Sequence, residues 1–267
     1  RAIYCDVPDP TPGPGEVVLR VAAAGLCGTD LHIYRGEYEA TYPLIPGHEF
    51  AGTIAEVGKS VEDLVVGMRV AADPNIFCHR CAFCRSDKHN QCQNLQAVGV
   101  NRDGAFAEYV CVPRGNVYPI GDLAFAQAAF AEPLGCVIYA LQRAQPRPAD
   151  RELAPDGYDI VIDATGVPAV VQDGFKYLAP RGKYLFFGVC PAGEQIRIAP
   201  YDIFRHDWQI LGSFALSYTI QEAIRWLQAG RVRVEPLISH RFPLADIVKG
   251  LEIARSDPER MKILFLP

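Results

Sequence analysis

The sequence contains no apolar run long enough to cross a bilayer and no strong excess of charge of either sign. The first absence argues against a membrane-spanning protein. The net charge of −5 gives no reason to expect nucleic acid or an anionic membrane surface as a partner. The opening stretch RAIYCDVPDP also lacks the pattern of a signal peptide. We therefore expect a cytoplasmic protein with no nucleic-acid or membrane partner.

The cysteines do not indicate a disulfide framework. There are nine of them, an odd number, and four lie close together between positions 78 and 92. Such crowding favours metal binding in a reducing compartment. The other proportions, 49% hydrophobic and 21% charged residues, are those of an ordinary globular protein. A chain of 267 residues has room for one large domain or two ordinary ones.

The crowded cysteines form the segment CHRCAFCRSDKHNQC, with spacings of two, two and seven residues between them. Four thiolates close in sequence satisfy tetrahedral Zn²⁺ with no open position, which is typical of a structural site. Free surface thiols and an iron–sulfur cluster are the alternatives, and the polar residues within the loop favour a solvent-facing zinc lobe. The predicted ligands are Cys78, Cys81, Cys84 and Cys92.

A second set of metal ligands lies on two glycine-rich turns, GLCGTD and IPGHEF. Cys27, His48 and Glu49 offer one sulfur, one nitrogen and one carboxylate, and three protein ligands plus water are typical of catalytic zinc. Glu132 is a fourth candidate, since it lies in an apolar segment where an unpaired charge is costly. The alternative for Glu132 is a helix-end carboxylate before Pro133.

The pattern of elements changes along the chain. Short strands and turns predict a compact, partly closed β unit up to about Pro119. An Ala/Leu-rich segment, DLAFAQAAFAEPLGCVIYALQRA, then predicts one long buried helix. The segments YDIVIDATG, GKYLFFGV and WQILGSF are nearly all apolar, as strands of a parallel sheet covered on both faces are.

The G-x-G-x-x-G turn of a dinucleotide-binding fold is absent from the whole sequence. Such a fold normally begins with a strand, that turn at a helix N-terminus, and an acidic residue about 20 positions later. Here Asp150 is followed directly by a stretch typical of a later helix and the fourth strand. Two βα units of about 30 residues each have no counterpart. We interpret this as a deletion, and the alternatives are a damaged gene or residues omitted from the sequence as printed.

These motifs together resemble the medium-chain zinc-dependent dehydrogenases. The stretch GHEFAGTIAEVGKSV fits the zinc signature of that family, and the four-cysteine lobe, CGTD, AEPLGC, IDATGVP, FGV and GSF follow in the family's order. CGTDLHIYRGEY and VEPLISHRFPL are most similar to the polyol branch, the sorbitol and arabitol dehydrogenases. CGTDLHIY also resembles L-threonine 3-dehydrogenase, which is the alternative. The signature positions are Gly47, His48, Glu49, Gly52, Gly58 and Val61.

The resemblance implies a mixed α/β fold with a GroES-like, partly closed β-barrel and a truncated Rossmann-type parallel sheet. Residues 1–119 would form the catalytic domain, 120–234 the remnant of the coenzyme domain, and 235–267 a return to the catalytic domain. Family members are usually dimers or tetramers, so a homo-oligomer is expected.

The resemblance also implies roles for individual residues. Cys27, His48 and Glu49 or Glu132 would hold a catalytic zinc ion, and Thr29 and His32 would carry the substrate proton outward. The surviving strand ends would contact the nicotinamide half of NAD(P), and the substrate would be a small alcohol or polyol. The residues at those strand ends are Thr165, Gly166, Gly188, Val189, Ser213 and Phe214.

Two hypotheses from different classes follow. The first is a zinc-dependent, NAD(P)-linked dehydrogenase that oxidises a secondary alcohol or polyol to a ketone. The second is a zinc-binding protein without dehydrogenase activity, because the phosphate-binding part of the coenzyme domain is missing.

Overall fold

The structure is a computed structural model that describes residues 2–38, 40–147, 150 and 157–267. The chain forms two compact units, of which one comprises Arg1–Gly135 with Ser217–Pro267 and the other Cys136–Leu216. Sequence reasoning placed its domain boundaries after residues 119 and 234, and those domain roles stay a prediction. The predicted deletion point between Asp150 and Arg151 lies outside the described residues.

The first unit is built mainly from strands. Its strands are β1 (Glu16–Gly25), β2 (Glu49–Val57), β3 (Arg69–Ala72), β4 (Asn75–Ile76), β5 (Gln96–Ala97), β6 (Tyr109–Pro113), β7 (Val117–Pro119), β11 (Ile238–Pro243) and β12 (Lys262–Leu266). Its helices are α1 (Gly28–Arg35), α2 (Phe125–Ala128), α6 (Ile220–Gln228) and α7 (Ile247–Ser256), and α3 (Ala131–Ala144) spans the division between the units.

A seven-stranded sheet of order β11-β12-β1-β2-β3-β7, with β6 also paired to β1, organises this unit. Strand β1 pairs antiparallel with β2, β6 and β12, which places it at the centre of the sheet. Its alternating apolar residues bury Val17, Leu19 and Val21 in one core with Phe50 and Phe265. The pairing of Gly25 with both Glu49 and Leu264 brings one end of β1, β2 and β12 together.

The second unit contains a parallel sheet of three strands in the order β10-β9-β8. These are β8 (Tyr158–Asp163), β9 (Leu178–Phe186) and β10 (Gln209–Gly212), with helices α4 (Pro168–Gly174) and α5 (Pro200–His206) between them. Ile160 packs on one face of the sheet with Ala140 and Ala144 of α3. Val161 packs on the other face with Val171 of α4. The predicted fold class, with a truncated parallel sheet, is confirmed.

The Ala/Leu-rich segment was predicted as one helix, but it forms two: α2 ends at Ala128 and α3 begins at Ala131. Pro133 has no backbone N–H, so it is accommodated in the first turn of a new helix and not in the interior of a long one. Glu132 therefore lies in the first turn of α3 and not mid-helix. None of the helices that the structure describes has both the length and the apolar character that a membrane span needs.

Candidate active site and metal centres

The first candidate centre lies where β1 ends, α1 begins and β2 begins. Cys27 is the N-cap residue of α1, while His48 and Glu49 stand at the start of β2. One ligand atom from each of these three residues lies within 4.8 Å of the other two. His48 and Glu49 are 6% and 1% exposed, so the donors converge inside the protein. A sulfur, an imidazole nitrogen and a carboxylate oxygen in one buried cluster fit Zn²⁺.

Two glycines make this convergence sterically possible. A Cβ atom on Gly25 would collide with the carboxylate of Glu49, which is its partner across the strand pair. Gly47 has φ +95°, and a Cβ atom there would meet the ring of Phe106. The turn before His48 therefore requires glycine, because L side chains rarely adopt such a backbone conformation.

Asp30 contacts two of the three ligands, Cys27 and His48. Its Oδ2 atom accepts a hydrogen bond of 2.8 Å from the backbone N–H of Cys27. Its Oδ1 atom lies 3.5 Å from Nδ1 of His48, and Asp30 itself is 3% exposed. At this distance the Asp30 carboxylate acts on the imidazole through its charge and not through a hydrogen bond, and the other nitrogen, Nε2, is available to a metal ion. Sequence reasoning quoted this aspartate within CGTD but assigned it no role.

The charge around His48 perturbs its titration. Burial alone would lower the pKa of His48, but the negative charges of Asp30 and Cys27 outweigh that effect and raise the pKa well above its ordinary value. Because a metal ligand must be a neutral imidazole, a cation entering this site competes with a proton.

Lys262 is the feature of this site that sequence reasoning missed. Its Nζ atom donates hydrogen bonds of 2.7 and 2.6 Å to the two carboxylate oxygens of Glu49 and one of 3.2 Å to the carbonyl of Leu26. Burial would lower the pKa of Lys262, but the charges of Glu49, Cys27 and Glu132 raise it. A charged lysine thus neutralises Glu49 from the side of β12.

Glu132 is buried, but the structure does not place it in the three-ligand cluster. Its negative charge acts on Lys262, so it belongs to the same buried group of charges. Of the four ligands expected here, the structure therefore brings three together, and Glu132 stays a predicted ligand.

The expected proton carriers follow Cys27 on α1. Oγ1 of Thr29 lies 3.8 Å from Sγ of Cys27, within hydrogen-bonding distance for sulfur. His32 is three residues further along the helix, and residues so spaced are neighbours on its surface. Nδ1 of His32 lies 2.8 Å from Oε2 of Glu37, whose side chain is 36% exposed. The roles of Thr29 and His32 as proton carriers stay a prediction.

The second candidate centre is the four-cysteine lobe. Ligand sulfurs of Cys78, Cys81, Cys84 and Cys92 all lie within 4.8 Å of one another. The backbone N–H groups of Cys78 and Asn94 each donate to Sγ of Cys92 at 3.4 Å, and Nδ2 of Asn94 donates to Sγ of Cys78 at 3.6 Å. Such N–H···S bonds stabilise thiolates, which are the form that binds metal.

The four thiols do not titrate alike. Hydrogen bonds from the backbone of Arg80 and the side chain of Asn94 lower the pKa of Cys78 to about 5. Burial raises the pKa of Cys84 to about 12. Four negative sulfurs at this separation repel one another, so the lobe requires a cation to hold all of them as thiolates. The donor set fits a closed tetrahedral zinc site.

The six residues expected near nicotinamide lie where the three parallel strands end. Thr165 and Gly166 follow β8, and Gly188 and Val189 follow β9. A Cβ atom on Gly188 would collide with the backbone of Gly166, so these two turns approach closely. Ser213 follows β10, and its backbone N–H donates to the carbonyl of Phe186 at 3.0 Å. Phe214 follows it and is 45% exposed.

The carboxylate of Asp163, at the same ends of the strands, already accepts hydrogen bonds from its own turn. Asp163 ends β8, and its Oδ1 atom accepts hydrogen bonds from the backbone N–H and the hydroxyl of Thr165 at 3.1 and 2.6 Å. Its Oδ2 atom accepts from the backbone N–H of Gly166 at 3.0 Å. Asp163 therefore stabilises its own turn, and it is unavailable as the acidic residue that holds a ribose.

Comparison with known proteins agrees with these two zinc-type centres. The family described as "Alcohol dehydrogenase GroES-like domain" matches residues 13–122, and the family described as "Zinc-binding dehydrogenase" matches residues 122–229. D-altritol 5-dehydrogenase of Agrobacterium fabrum is 32% identical, over 99% of this chain and 96% of the relative. The chain belongs to the zinc-binding dehydrogenase family.

Further relatives of this zinc-binding dehydrogenase have similar coverage. D-arabinitol dehydrogenase 1 of Uromyces fabae is 30% identical over 89% of this chain and 86% of the relative. A crystal structure from Sinorhizobium meliloti 1021, described as a zinc-binding dehydrogenase bound to NADP, is 30% identical. It superposes with a TM-score of 0.89 over 98% of this chain and 94% of that one.

The alignment with D-altritol 5-dehydrogenase runs over 323 positions, whereas this chain has 267 residues. At least 56 aligned positions, which is 323 less 267, therefore have no residue in this chain. That number is close to the two βα units that the sequence lacks.

We expect two zinc ions per chain, because two separate ligand sets are present. Metal analysis of protein purified without added zinc should give a ratio near two. Cys27→Ser should lower the ratio to near one, while Cys111→Ser, outside both sets, should leave it unchanged. If the unaltered protein contains about one zinc ion, and Cys27→Ser does not lower that number, then the first centre does not bind zinc.

In protein from which zinc has been removed with a chelator, Lys262→Met should destabilise the fold by about 3–5 kcal/mol, because no cation then remains beside the buried Glu49 carboxylate. Glu49→Gln in the same chain should recover most of that loss, since the uncompensated charge is then gone. The measurement is urea unfolding of the wild type, both single variants and the double variant. Additive losses in the double variant would mean that the pair is not coupled.

Proposed function

We propose that this chain catalyses the zinc-dependent, NAD(P)-linked oxidation of a secondary alcohol or polyol to a ketone. The observation that carries the proposal is the buried cluster of Cys27, His48 and Glu49, with its supporting Asp30 and Lys262. Zinc, when held there, supplies Lewis acidity that lowers the pKa of a substrate hydroxyl. The polyol class is proposed because two relatives are named as altritol and arabinitol dehydrogenases.

In this proposal the protein's own residues bind the metal ion and move the proton. Cys27, His48 and Glu49 hold the ion, and Glu132, whose charge acts on the same Lys262, exchanges with Glu49 as a ligand. Thr29 accepts the proton of the substrate hydroxyl and passes it to His32. The contact between His32 and Glu37 then directs the proton toward solvent. A histidine suits this step because its ordinary pKa is near neutrality.

NAD(P) fits the described residues only at its nicotinamide end. We propose that the turns after β8, β9 and β10 border the nicotinamide. The described part of the chain contains no strand followed by a glycine-rich turn for the pyrophosphate, and Asp163 is used in its own turn. We therefore expect turnover only at high coenzyme concentration. The proposed contacts are Thr165, Gly166, Gly188, Val189, Ser213 and Phe214.

The second candidate function is zinc binding without dehydrogenase activity, and the three-stranded coenzyme sheet favours it. For either function we propose a cytoplasmic homo-oligomer whose first unit carries both zinc centres. An activity assay distinguishes the two candidates.

The test is to follow coenzyme reduction by absorbance with a panel of polyols and L-threonine, using NAD⁺ and NADP⁺ at millimolar concentration. The proposal expects reduction with at least one polyol, lost in His48→Ala and retained in Thr29→Ser but not in Thr29→Ala. Oxidation of L-threonine alone would place the chain in the threonine branch. If protein that contains two zinc ions oxidises none of these substrates, the second candidate function, zinc binding without dehydrogenase activity, is favoured.

A further inference from the structure

Three partly exposed side chains meet at the four-cysteine lobe, outside both ligand sets described above. His79 and His89 lie between the cysteines of the lobe, and Tyr218 lies just before α6. The ring of Tyr218 is edge-on to that of His89, with 4.7 Å between the ring centroids. The centroids of the two imidazoles are 6.1 Å apart. Two imidazoles and a phenol thus form one group of candidate metal ligands.

The distance between Tyr218 and His79 fits a shared metal ion better than a hydrogen bond. The phenol oxygen of Tyr218 lies 3.4 Å from Nδ1 of His79. The hydrogen bond of a hydroxyl group is usually no longer than about 3.0 Å. Two ligand atoms that each lie about 2.1 Å from one ion, at a tetrahedral angle, are about 3.4 Å apart. An ion between these two atoms therefore fits with little movement of either side chain.

His89 completes the group, because its ring contacts both of the others. Two imidazoles that bind one ion have centroids roughly 5–6.5 Å apart, since each coordinating nitrogen lies about 2.1 Å from the ion. The observed 6.1 Å between His79 and His89 lies within this range. Phe77, which is 7% exposed, contacts all three rings from the apolar interior of the lobe. The three rings are therefore held together before any ion binds.

The charge around Tyr218 attracts a cation. A zinc ion held by four thiolates keeps a net negative charge, because the thiolates outweigh one divalent ion. Burial raises the pKa of Tyr218, and the negative charges of Cys84, Asp73 and Asp87 raise it further. The same field favours a positive ion beside the phenol oxygen. The basic side chains of the lobe are exposed, so solvent screens their charges. They are Arg80, Arg85 and Lys88.

We propose that His79, His89 and Tyr218 form a third metal site, which binds one divalent transition-metal ion such as Ni²⁺, Cu²⁺ or Zn²⁺. Imidazole ligands suit these ions, whereas Mg²⁺ and Ca²⁺ require oxygen ligands. His79 is exposed and Tyr218 is 50% exposed, so water reaches the ion and the ion exchanges readily. Such an ion is lost when protein is purified without added metal, and the zinc content expected above stays at two.

An ion in this site joins two distant parts of the chain. Tyr218 is 139 positions from His79 in the sequence. A metal ion that binds both only in the folded protein stabilises the fold by mass action. The proposal is independent of the catalytic one, because none of its three residues belongs to the cluster of Cys27, His48 and Glu49. Activity and binding at the third site can therefore fail or hold separately.

The test is calorimetric titration of Ni²⁺ into zinc-loaded protein from which excess zinc has been removed. One further equivalent should bind with a dissociation constant of about 10 µM. His79→Gln and His89→Gln should each raise that constant about tenfold or more. His240→Gln is the matched control, since His240 lies in the same unit and also stacks on an aromatic ring, that of Phe242. It should change the constant less than about twofold.

Tyr218→Phe tests the phenol separately. This variant keeps the ring that contacts His89 and Phe77 but removes the oxygen, so the dissociation constant should rise about tenfold. Circular dichroism and zinc content should be unchanged in every variant. Anomalous diffraction at the nickel absorption edge should place the ion between Tyr218 and His79.

Four results would overturn the proposal. The first is a wild-type chain that binds no further equivalent of nickel, and the second is binding that both histidine variants retain. The third is nickel that enters only by displacing zinc. The fourth is wild-type affinity in Tyr218→Phe, which would exclude the phenol as a ligand.

Discussion

Cys81→Ser should lower the melting temperature far more than His48→Ala does, even though both residues are predicted zinc ligands. A closed four-cysteine site contributes its binding free energy to folding, about 10–16 kcal/mol in zinc-finger peptides. If about 4 kcal/mol of that is lost when one thiolate is removed, a domain of this size melts about 8–16 °C lower. His48→Ala removes one ligand from a site that already has an open position, so chiefly activity should fall.

The structure gives a physical reason for this division. The sulfur of Cys92 accepts N–H···S bonds from the loop backbone, and burial disfavours the Cys84 thiolate. Without zinc the lobe retains its short-range turns and a small apolar cluster, but it loses the ion that joins its four sulfurs. His48, in contrast, lies between β1 and β2, where the main core and Asp30 support it.

Thermal melts and zinc content of both variants test this prediction, with Cys111→Ser as the control. Cys111 lies in the same unit and is half-buried, but it belongs to neither cluster. Equal falls in melting temperature for Cys81→Ser and His48→Ala would contradict the assignment of one structural and one catalytic site.

Much of the fold follows from local patterns. The apolar segments at 158–163 and 209–212 form the predicted parallel strands, and α6 buries Ile220, Ala223, Ile224 and Leu227 as its helical spacing indicates. The Ala/Leu-rich segment was predicted incorrectly as one helix, because apolar periodicity continues through the break while Pro133 requires a new start.

The candidate site was predictable where its residues share a motif and not where they meet only through strand pairing. Cys27, His48 and Glu49 lie within glycine-rich turns that identify them. Lys262 lies 213 positions from Glu49, and only the pairing of β12 with β1 brings it there. A single lysine at the start of the apolar strand KILFL was the available signal, because a buried strand end has little reason to begin with a charge.

The coenzyme unit presents the opposite situation, in which the sequence lacks residues that the relatives have. The pyrophosphate of a dinucleotide normally binds backbone N–H groups at a glycine-rich helix N-terminus, and an acidic residue holds the ribose. Neither element occurs in the described residues, and Asp163 accepts hydrogen bonds from its own turn. In our proposal the surviving strand ends contact the nicotinamide half alone.

We therefore expect NADH and NADPH to bind with a dissociation constant of about 1 mM. A micromolar dissociation constant would correspond to a binding free energy about 4 kcal/mol more favourable. The reduced mononucleotide, which contains only the nicotinamide half, should bind this chain about as tightly as NADH does. The adenosine half has no described site here, so removing it should cost little.

The measurement is calorimetric titration with NADH, NADPH and the reduced mononucleotide, on protein whose intact mass is confirmed near 29.4 kDa. The D-altritol 5-dehydrogenase of Agrobacterium fabrum, which has the additional aligned positions, is the matched control. It should bind a complete coenzyme at least about a hundredfold more tightly than the mononucleotide, because its adenosine half contributes. Micromolar binding of NADH by this chain at the confirmed mass, together with weak binding of the mononucleotide, would mean that the protein has a phosphate site outside the strand ends described.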